Sequence, residues 1–141
     1  MSYSGVMPVQ WKIDHQARRV EATAEGVLIA DDIRDYLARI AAEGAMPYAK
    51  LFDATAATKV DLSTDELKGL GGSIRQYAID GNGPIGPLAI VVAHSGGQLQ
   101  AAHFADSAGS NRPLQIFRDK AKALAWLAEA MRVRTTATRR R

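Results

Sequence analysis

The stretch Leu88-Ala89-Ile90-Val91-Val92-Ala93 is apolar at every position. A strand with one solvated face alternates apolar and polar residues, whereas a central strand of a parallel sheet is covered on both faces. This run therefore predicts a central strand in a sheet that has helices on both faces. The preceding segment, residues 80–87, holds three glycines and two prolines, which excludes regular structure there.

Two half-buried strands are predicted near the amino terminus. In residues 9–15 apolar side chains alternate with polar ones, and residues 19–25 repeat this alternation. A period of two is typical of strands with one buried face. The short segment 14–17 between them predicts a hairpin turn.

A helix and a short strand follow the hairpin. Apolar residues spaced by three and four predict the buried stripe of the helix: Ile33, Tyr36, Leu37 and Ile40. Gly44 fits the carboxyl-terminal cap of this helix. Residues 48–53 then predict a strand that ends in Asp53, and residues 55–61 predict a polar loop.

The second helix has a capping-box start. Ser63-Thr64-Asp65-Glu66 places a serine three residues before a glutamate, so each side chain can bond the other's backbone amide. Gly71 and Gly72 lie inside this helix, at a cost of about 1 kcal/mol each relative to alanine. They indicate either that a neighbouring element approaches the helix closely or that the middle of the helix is only weakly stable.

The rest of the chain alternates strand and helix. The turn His94-Ser95-Gly96-Gly97 leads into a predicted short helix at 98–105 and a loop at 107–112. Residues 114–117 predict the last strand, and Asp119 caps a final helix. The fold class is α/β: one domain with a mixed, mostly parallel sheet of about five strands and about four helices on its two faces.

Composition limits the domain organisation and the chemistry. The chain has 141 residues and no cysteine, which excludes disulfides, thiolate metal sites and a cysteine nucleophile. It begins without a secretory pattern, and no run approaches the about 18 apolar residues of a membrane span. We expect a cytoplasmic protein with an extension at 1–8, a domain at 9–131 and a disordered basic tail at 132–141.

The excess of basic charge lies in that tail. Lysine plus arginine is 18 and aspartate plus glutamate is 15, but five of the arginines follow Met131. Without these five arginines the chain has 13 basic and 15 acidic residues. Three consecutive arginines could contact nucleic acid, but a solvated terminus is the preferred interpretation, and no nucleic-acid partner is expected.

The element order and several segments resemble the STAS fold of bacterial anti-sigma-factor antagonists, in its SpoIIAA-like (STAS/Sec14-like) branch. The resemblance covers residues 9–131 and is carried by the segments 26–33, 51–53, 60–63, 116–119 and 123–127. It implies a regulatory protein-interaction module. The Sec14-like side implies the alternative of a domain that binds a small apolar or nucleotide-like ligand.

One departure concerns regulation. STAS switches carry Asp-Ser-Ser-Gly with a phosphorylated serine, where this chain reads Asp61-Leu62-Ser63-Thr64-Asp65-Glu66. Ser63 could be such a switch, but acidic neighbours would repel a phosphate. We prefer Ser63 as a helix cap.

Other candidate sites have simpler structural interpretations. The turn at His94 could bind an anion through free amides, although a plain glycine turn is preferred. Ser95 with His103 and Asp106 could form a hydrolase site, but the G-x-S-x-G elbow is missing. No histidine has metal-ligand spacing, so we predict no metal and no cofactor. Asp53 could face the same crevice as Ser95 or bond its own loop amides, which we prefer.

The sequence thus predicts a non-enzymatic binding module, with a serine hydrolase as a remote alternative. Its binding surface should gather at the carboxyl ends of the strands. The candidate residues are Asp53, Asp61, Ser63, Thr64, His94, Ser95, Gly96 and Gly97. A protein partner is expected, a small ligand is the alternative, and a homodimer is a further expectation.

Overall fold

The structure, a computed structural model, describes residues 9–79, 85–93 and 114–139. These residues form five strands and three helices: β1 (Val9–Asp14), β2 (Arg19–Ile29), α1 (Ala30–Ala42), β3 (Ala49–Asp61), α2 (Thr64–Ile79), β4 (Leu88–Val91), β5 (Leu114–Phe117) and α3 (Lys120–Arg139). The sheet order is β1-β2-β3-β4-β5, and only the β1–β2 pair is antiparallel. The predicted fold class is confirmed, while the helix predicted at 98–105 lies outside the described residues.

Helices lie on both faces of this sheet. On one face, apolar residues of β1, β2 and β3 pack with Leu37 and Ile40 of α1 and with Leu70 and Ile74 of α2. On the other face, Ala123 and Leu127 of α3 pack against β3 and β4. All four residues of β4 are buried and the strand lies between β3 and β5, as its apolar run predicts.

The ends of α1 follow the sequence signals. The amide of Ile29 donates to Oδ2 of Asp32 at 3.2 Å, which satisfies one free amide at the start of the helix. At the other end Gly44 has φ +72°, and two backbone bonds, from Gly44 to Ala41 and from Ala45 to Ile40, close the helix. This is the Schellman arrangement, in which glycine tolerates the left-handed conformation without strain.

The prediction of a polar loop at 55–61 is wrong. These residues continue β3 to Asp61 and pair in parallel with Glu25–Ile29 of β2. Thr55, Thr58 and Val60 are β-branched, so the segment favours extended backbone even though it is polar. The two strands therefore extend as a pair beyond the end of β4, whose last residue in the ladder, Val91, pairs with Asp53.

The carboxyl-terminal segment also differs from expectation. The sequence predicted a disordered tail from residue 132, but residues 132–139 continue α3. No glycine or proline interrupts the helix between Lys120 and Arg139, so nothing in the sequence ends it. On α3, Ala123 and Leu127 are buried, whereas Ala128 is exposed. No helix in the described part of the chain has the length and apolar character that a membrane crossing requires.

Candidate functional site

The carboxyl ends of β2 and β3 meet the starts of two helices. Ile29, the last residue of β2, pairs with Asp61, the last residue of β3. Helix α1 follows Ile29 directly, and α2 begins at Thr64. Asp61, Ser63 and Thr64 therefore lie at one edge of the domain.

Ser63 forms both hydrogen bonds of a capping box. Its Oγ accepts from the amide of Glu66 at 3.0 Å, and its own amide donates to Oε1 of Glu66 at 2.9 Å. These bonds satisfy donors that the first helical turn would otherwise leave free. The hydroxyl is thus engaged in starting α2, as the cap interpretation predicts.

Removing this cap should destabilise the domain modestly. Ser63→Ala is expected to lower the free energy of unfolding by about 0.5–2 kcal/mol, whereas Ser63→Asp should be nearly neutral because aspartate also caps helices. Urea denaturation measures both. Ser73→Ala is the matched control, since Ser73 bonds only the Gly69 carbonyl within the same helix. Equal losses for Ser63→Asp and Ser63→Ala would contradict the cap.

Asp53 lies apart from Ser63. Its Oδ1 accepts from the amide of Thr55 at 3.0 Å and from the Thr55 hydroxyl at 2.6 Å, which is the local bonding preferred from the sequence. Asp61 lies eight residues beyond Asp53 along β3, a length of roughly 26 Å. The strand that replaces the predicted loop thus moves Asp53 away from the start of α2.

Two exposed apolar side chains mark the same edge. Val27 is 49% exposed and Ile29 41%, and among the side chains whose burial the structure describes they are the only large hydrophobic ones that are exposed. We call them the apolar pair. They lie on the sheet face opposite to Leu28, which is buried. The sequence carried a signal that was missed: in Val27-Leu28-Ile29 a strand places Leu28 on one face and Val27 and Ile29 on the other, so a single core cannot bury all three.

Acidic side chains outnumber basic ones around the apolar pair. Asp32 and Glu66 accept from backbone amides, and Asp31 forms an ion pair with Arg34 at 2.6 Å. Lys59, which pairs in register with Val27, is a cation within the patch. The acidic residues at this edge are Glu25, Asp31, Asp32, Asp61, Asp65 and Glu66, and the basic ones are Arg34, Lys59 and Lys68.

The remaining predicted site residues lie outside the described ranges. His94, Ser95, Gly96 and Gly97 are among them, as are His103 and Asp106, so the anion-binding turn and the hydrolase triad stay predictions. Within residues 9–79, 85–93 and 114–139, no group of three histidine, aspartate or glutamate residues could hold a metal ion.

A second polar cluster lies at the opposite edge, and the sequence did not indicate it. His15 Nδ1 is 2.7 Å from the Tyr48 hydroxyl, and His15 Nε2 is 3.3 Å from Oε1 of Glu43. The Arg18 guanidinium lies 5.0 Å from the centroid of the Tyr48 ring. A carboxylate, an imidazole and a hydroxyl in series have the order of a catalytic triad. Tyr48 is only 7% exposed, whereas the side chains of His15 and Glu43 are more than half exposed, and the cluster joins the hairpin turn to the end of α1 and the start of β3.

No protein-family model and no curated protein sequence matches this chain. Several solved structures share its fold, among them the following two. An uncharacterised protein of the DUF3478 family with a SpoIIAA-like fold, from Shewanella loihica PV-4, is 16% identical with a TM-score of 0.56, over 90% of this chain and 99% of that one. The anti-sigma factor antagonist SpoIIAA in its unphosphorylated form is 14% identical with a TM-score of 0.53, over 85% and 97% of the two chains. Likeness at these identities establishes the SpoIIAA-like fold and nothing further.

Proposed function

We propose that this SpoIIAA-like domain is a non-enzymatic regulatory module of the cytoplasm that binds a protein partner through the apolar pair. The observation that carries the proposal is the exposure of Val27 and Ile29 on an otherwise polar strand face. Exposed apolar side chains with a polar rim can mark a protein-interaction site. The anti-sigma factor antagonist of the same fold makes a regulatory role reasonable.

The proposed contact has a plausible energetic basis. Complete burial of a valine or isoleucine side chain contributes about 1.5–3 kcal/mol, so covering two half-exposed side chains contributes about 2 kcal/mol. That amount changes an affinity by roughly thirtyfold. The apolar pair can therefore be a principal contributor to a moderate affinity, with the surrounding carboxylates selecting a partner of positive charge.

The described serine hydroxyls support a role without catalysis. Ser63 Oγ is occupied by a backbone amide, and Ser73 Oγ donates to a carbonyl within its helix. Catalysis by a serine needs a base within hydrogen-bond reach, and neither serine is bonded to a histidine. Asp53 is likewise bonded to Thr55.

A single substitution tests the proposed surface. Val27→Glu should abolish binding of a partner because it places a charge in the apolar contact, and it should leave the free energy of unfolding almost unchanged because Val27 is exposed. Gln10→Glu is the matched control: it adds the same charge at an exposed position of the same sheet face. A partner captured by the parent chain would be purified and titrated calorimetrically against each variant.

The results separate three cases. Loss of affinity with Val27→Glu alone supports the proposed surface. Equal affinity for the parent and both variants refutes it. Turnover of an ester or phosphate substrate by the purified chain, abolished by Ser95→Ala, would replace the proposal with the hydrolase alternative.

A further inference from the structure

Charge is distributed unevenly along the length of the domain. The acidic edge around the apolar pair lies at the carboxyl ends of the strands. After Glu129 the chain has no acidic residue and five arginines, two of which, Arg134 and Arg139, lie in the last turns of α3. Arg132 forms an ion pair with Glu129, and the sequence after Arg132 adds four more arginines and no acidic residue.

The course of α3 places this positive charge far from the acidic edge. Only Arg118 and Asp119 separate β5 from α3, so the helix must run back antiparallel to the strand. A helix of 20 residues is about 30 Å long, whereas a four-residue strand such as β5 spans about 13 Å. The end of α3 therefore projects past the amino-terminal edge of β4 and β5.

One molecule cannot bring these two charged ends together. They lie at opposite edges of a sheet whose strand β2 alone spans about 36 Å. Ala123 and Leu127 hold α3 against the core of its own molecule, so the helix cannot turn toward the acidic edge. Opposite charges on two ends of the same molecule attract most readily when they belong to different copies.

We infer that the apolar pair and its acidic rim bind the arginine-rich end of α3 of a second copy of this chain. This inference rests on the proposed function, because it assigns an occupant to the same surface. The contact is head-to-tail, so a pair of copies keeps one free acidic edge and one free basic end. Such contacts grow into longer assemblies unless they close into a ring, unlike a two-fold dimer.

Sedimentation velocity of the full chain tests the inference. At about 50 mM sodium chloride the mean mass should rise with protein concentration, and at about 500 mM it should fall to that of a monomer, because salt screens charges between exposed groups. A monomer at every concentration in low salt would overturn the inference. A closed dimer whose mass does not change with the salt concentration would also overturn it.

Charge reversal identifies the two surfaces. Glu25→Lys with Asp61→Lys should weaken self-association at least about tenfold, and Arg134→Glu with Arg139→Glu should do the same. The chain that carries all four changes should associate again, because both signs are inverted. A tail that merely adheres to any anionic surface would be insensitive to the first pair of changes, and this result would overturn the inference.

The two proposals can fail separately. A parent chain that binds its purified partner, loses it with Val27→Glu and stays monomeric in low salt retains the proposed function without self-association. A chain that self-associates through these residues but binds no other protein supports self-association and refutes the binding of a different partner protein.

Discussion

Gly86→Ala should destabilise the domain by about 3 kcal/mol or more, since adding a methyl group to a well-packed interior forces the backbone to shift. A Cβ atom at this position would lie 2.0 Å from the Tyr48 carbonyl oxygen and 2.4 Å from the Pro47 carbonyl oxygen. Both are backbone atoms, so no side chain can rotate away. The segment is also fastened in place: the Gly86 amide donates to Met46 O, and the Lys50 amide donates to Pro87 O, each at 2.9 Å.

Gly69→Ala is the matched control for this prediction. A Cβ atom on Gly69 meets nothing within 4 Å, and the residue lies inside α2, so alanine should raise the free energy of unfolding by about 0.5–1 kcal/mol. Urea denaturation followed by circular dichroism compares the two variants. If Gly86→Ala were as stable as the parent, the result would contradict the close packing of residues 46–48 against residues 85–87. Should Gly86→Ala be too unstable for urea denaturation, limited proteolysis of this variant expressed at low temperature would show the same weakening.

Lys50→Met should lower the free energy of unfolding by about 1–3 kcal/mol, because it removes a donor from carbonyl oxygens that stay buried. Lys50 is 2% exposed, and its Nζ donates to the carbonyl oxygens of Met46 and Tyr48. Methionine fills nearly the same volume, so the loss reports the hydrogen bonds rather than the packing. Lys50→Ala should cost more, about 4 kcal/mol, because it also leaves a cavity.

Lys12→Met provides the control for Lys50. Lys12 lies in β1 with an exposed side chain, and its replacement should change stability by less than about 0.5 kcal/mol. A Lys50→Met protein as stable as the parent would show that the ammonium group contributes nothing net. Lys50 and Gly86 both contact the carbonyls of Met46 and Tyr48, so their combined effects should not be additive.

Local signals account for the elements that were predicted correctly. The apolar run at β4, the alternation in β1, and the helical spacing of Tyr36, Leu37 and Ile40 each reflect burial that the period of the backbone dictates. The caps at Gly44 and Ser63 depend on neighbouring residues alone, and both form as expected. These features are encoded within a few residues, so a single sequence is sufficient to find them.

The candidate site was predicted only in part, because it depends on which strand pairs with which. The segment 55–61 is polar and resembles a loop, yet it becomes strand because the end of β2 lies beside it. That pairing separates Asp53 from Ser63 and exposes Val27 and Ile29. Residue spacing along the chain contains no information about a neighbour that is 30 residues away in sequence.

By itself the sequence determined the α/β class, the element order, the helix caps and the buried central strand, because each follows from local periodicity and backbone chemistry. Only the tertiary structure decided the environment of Lys50, the clearance at Gly86, the His15–Tyr48–Glu43 cluster and the exposure of the apolar pair. A lysine in a strand is ordinarily solvated, and it is buried here because two carbonyl oxygens of a turn receive its ammonium group. Long-range packing brings such groups together, and the pattern of residues along the chain does not specify it.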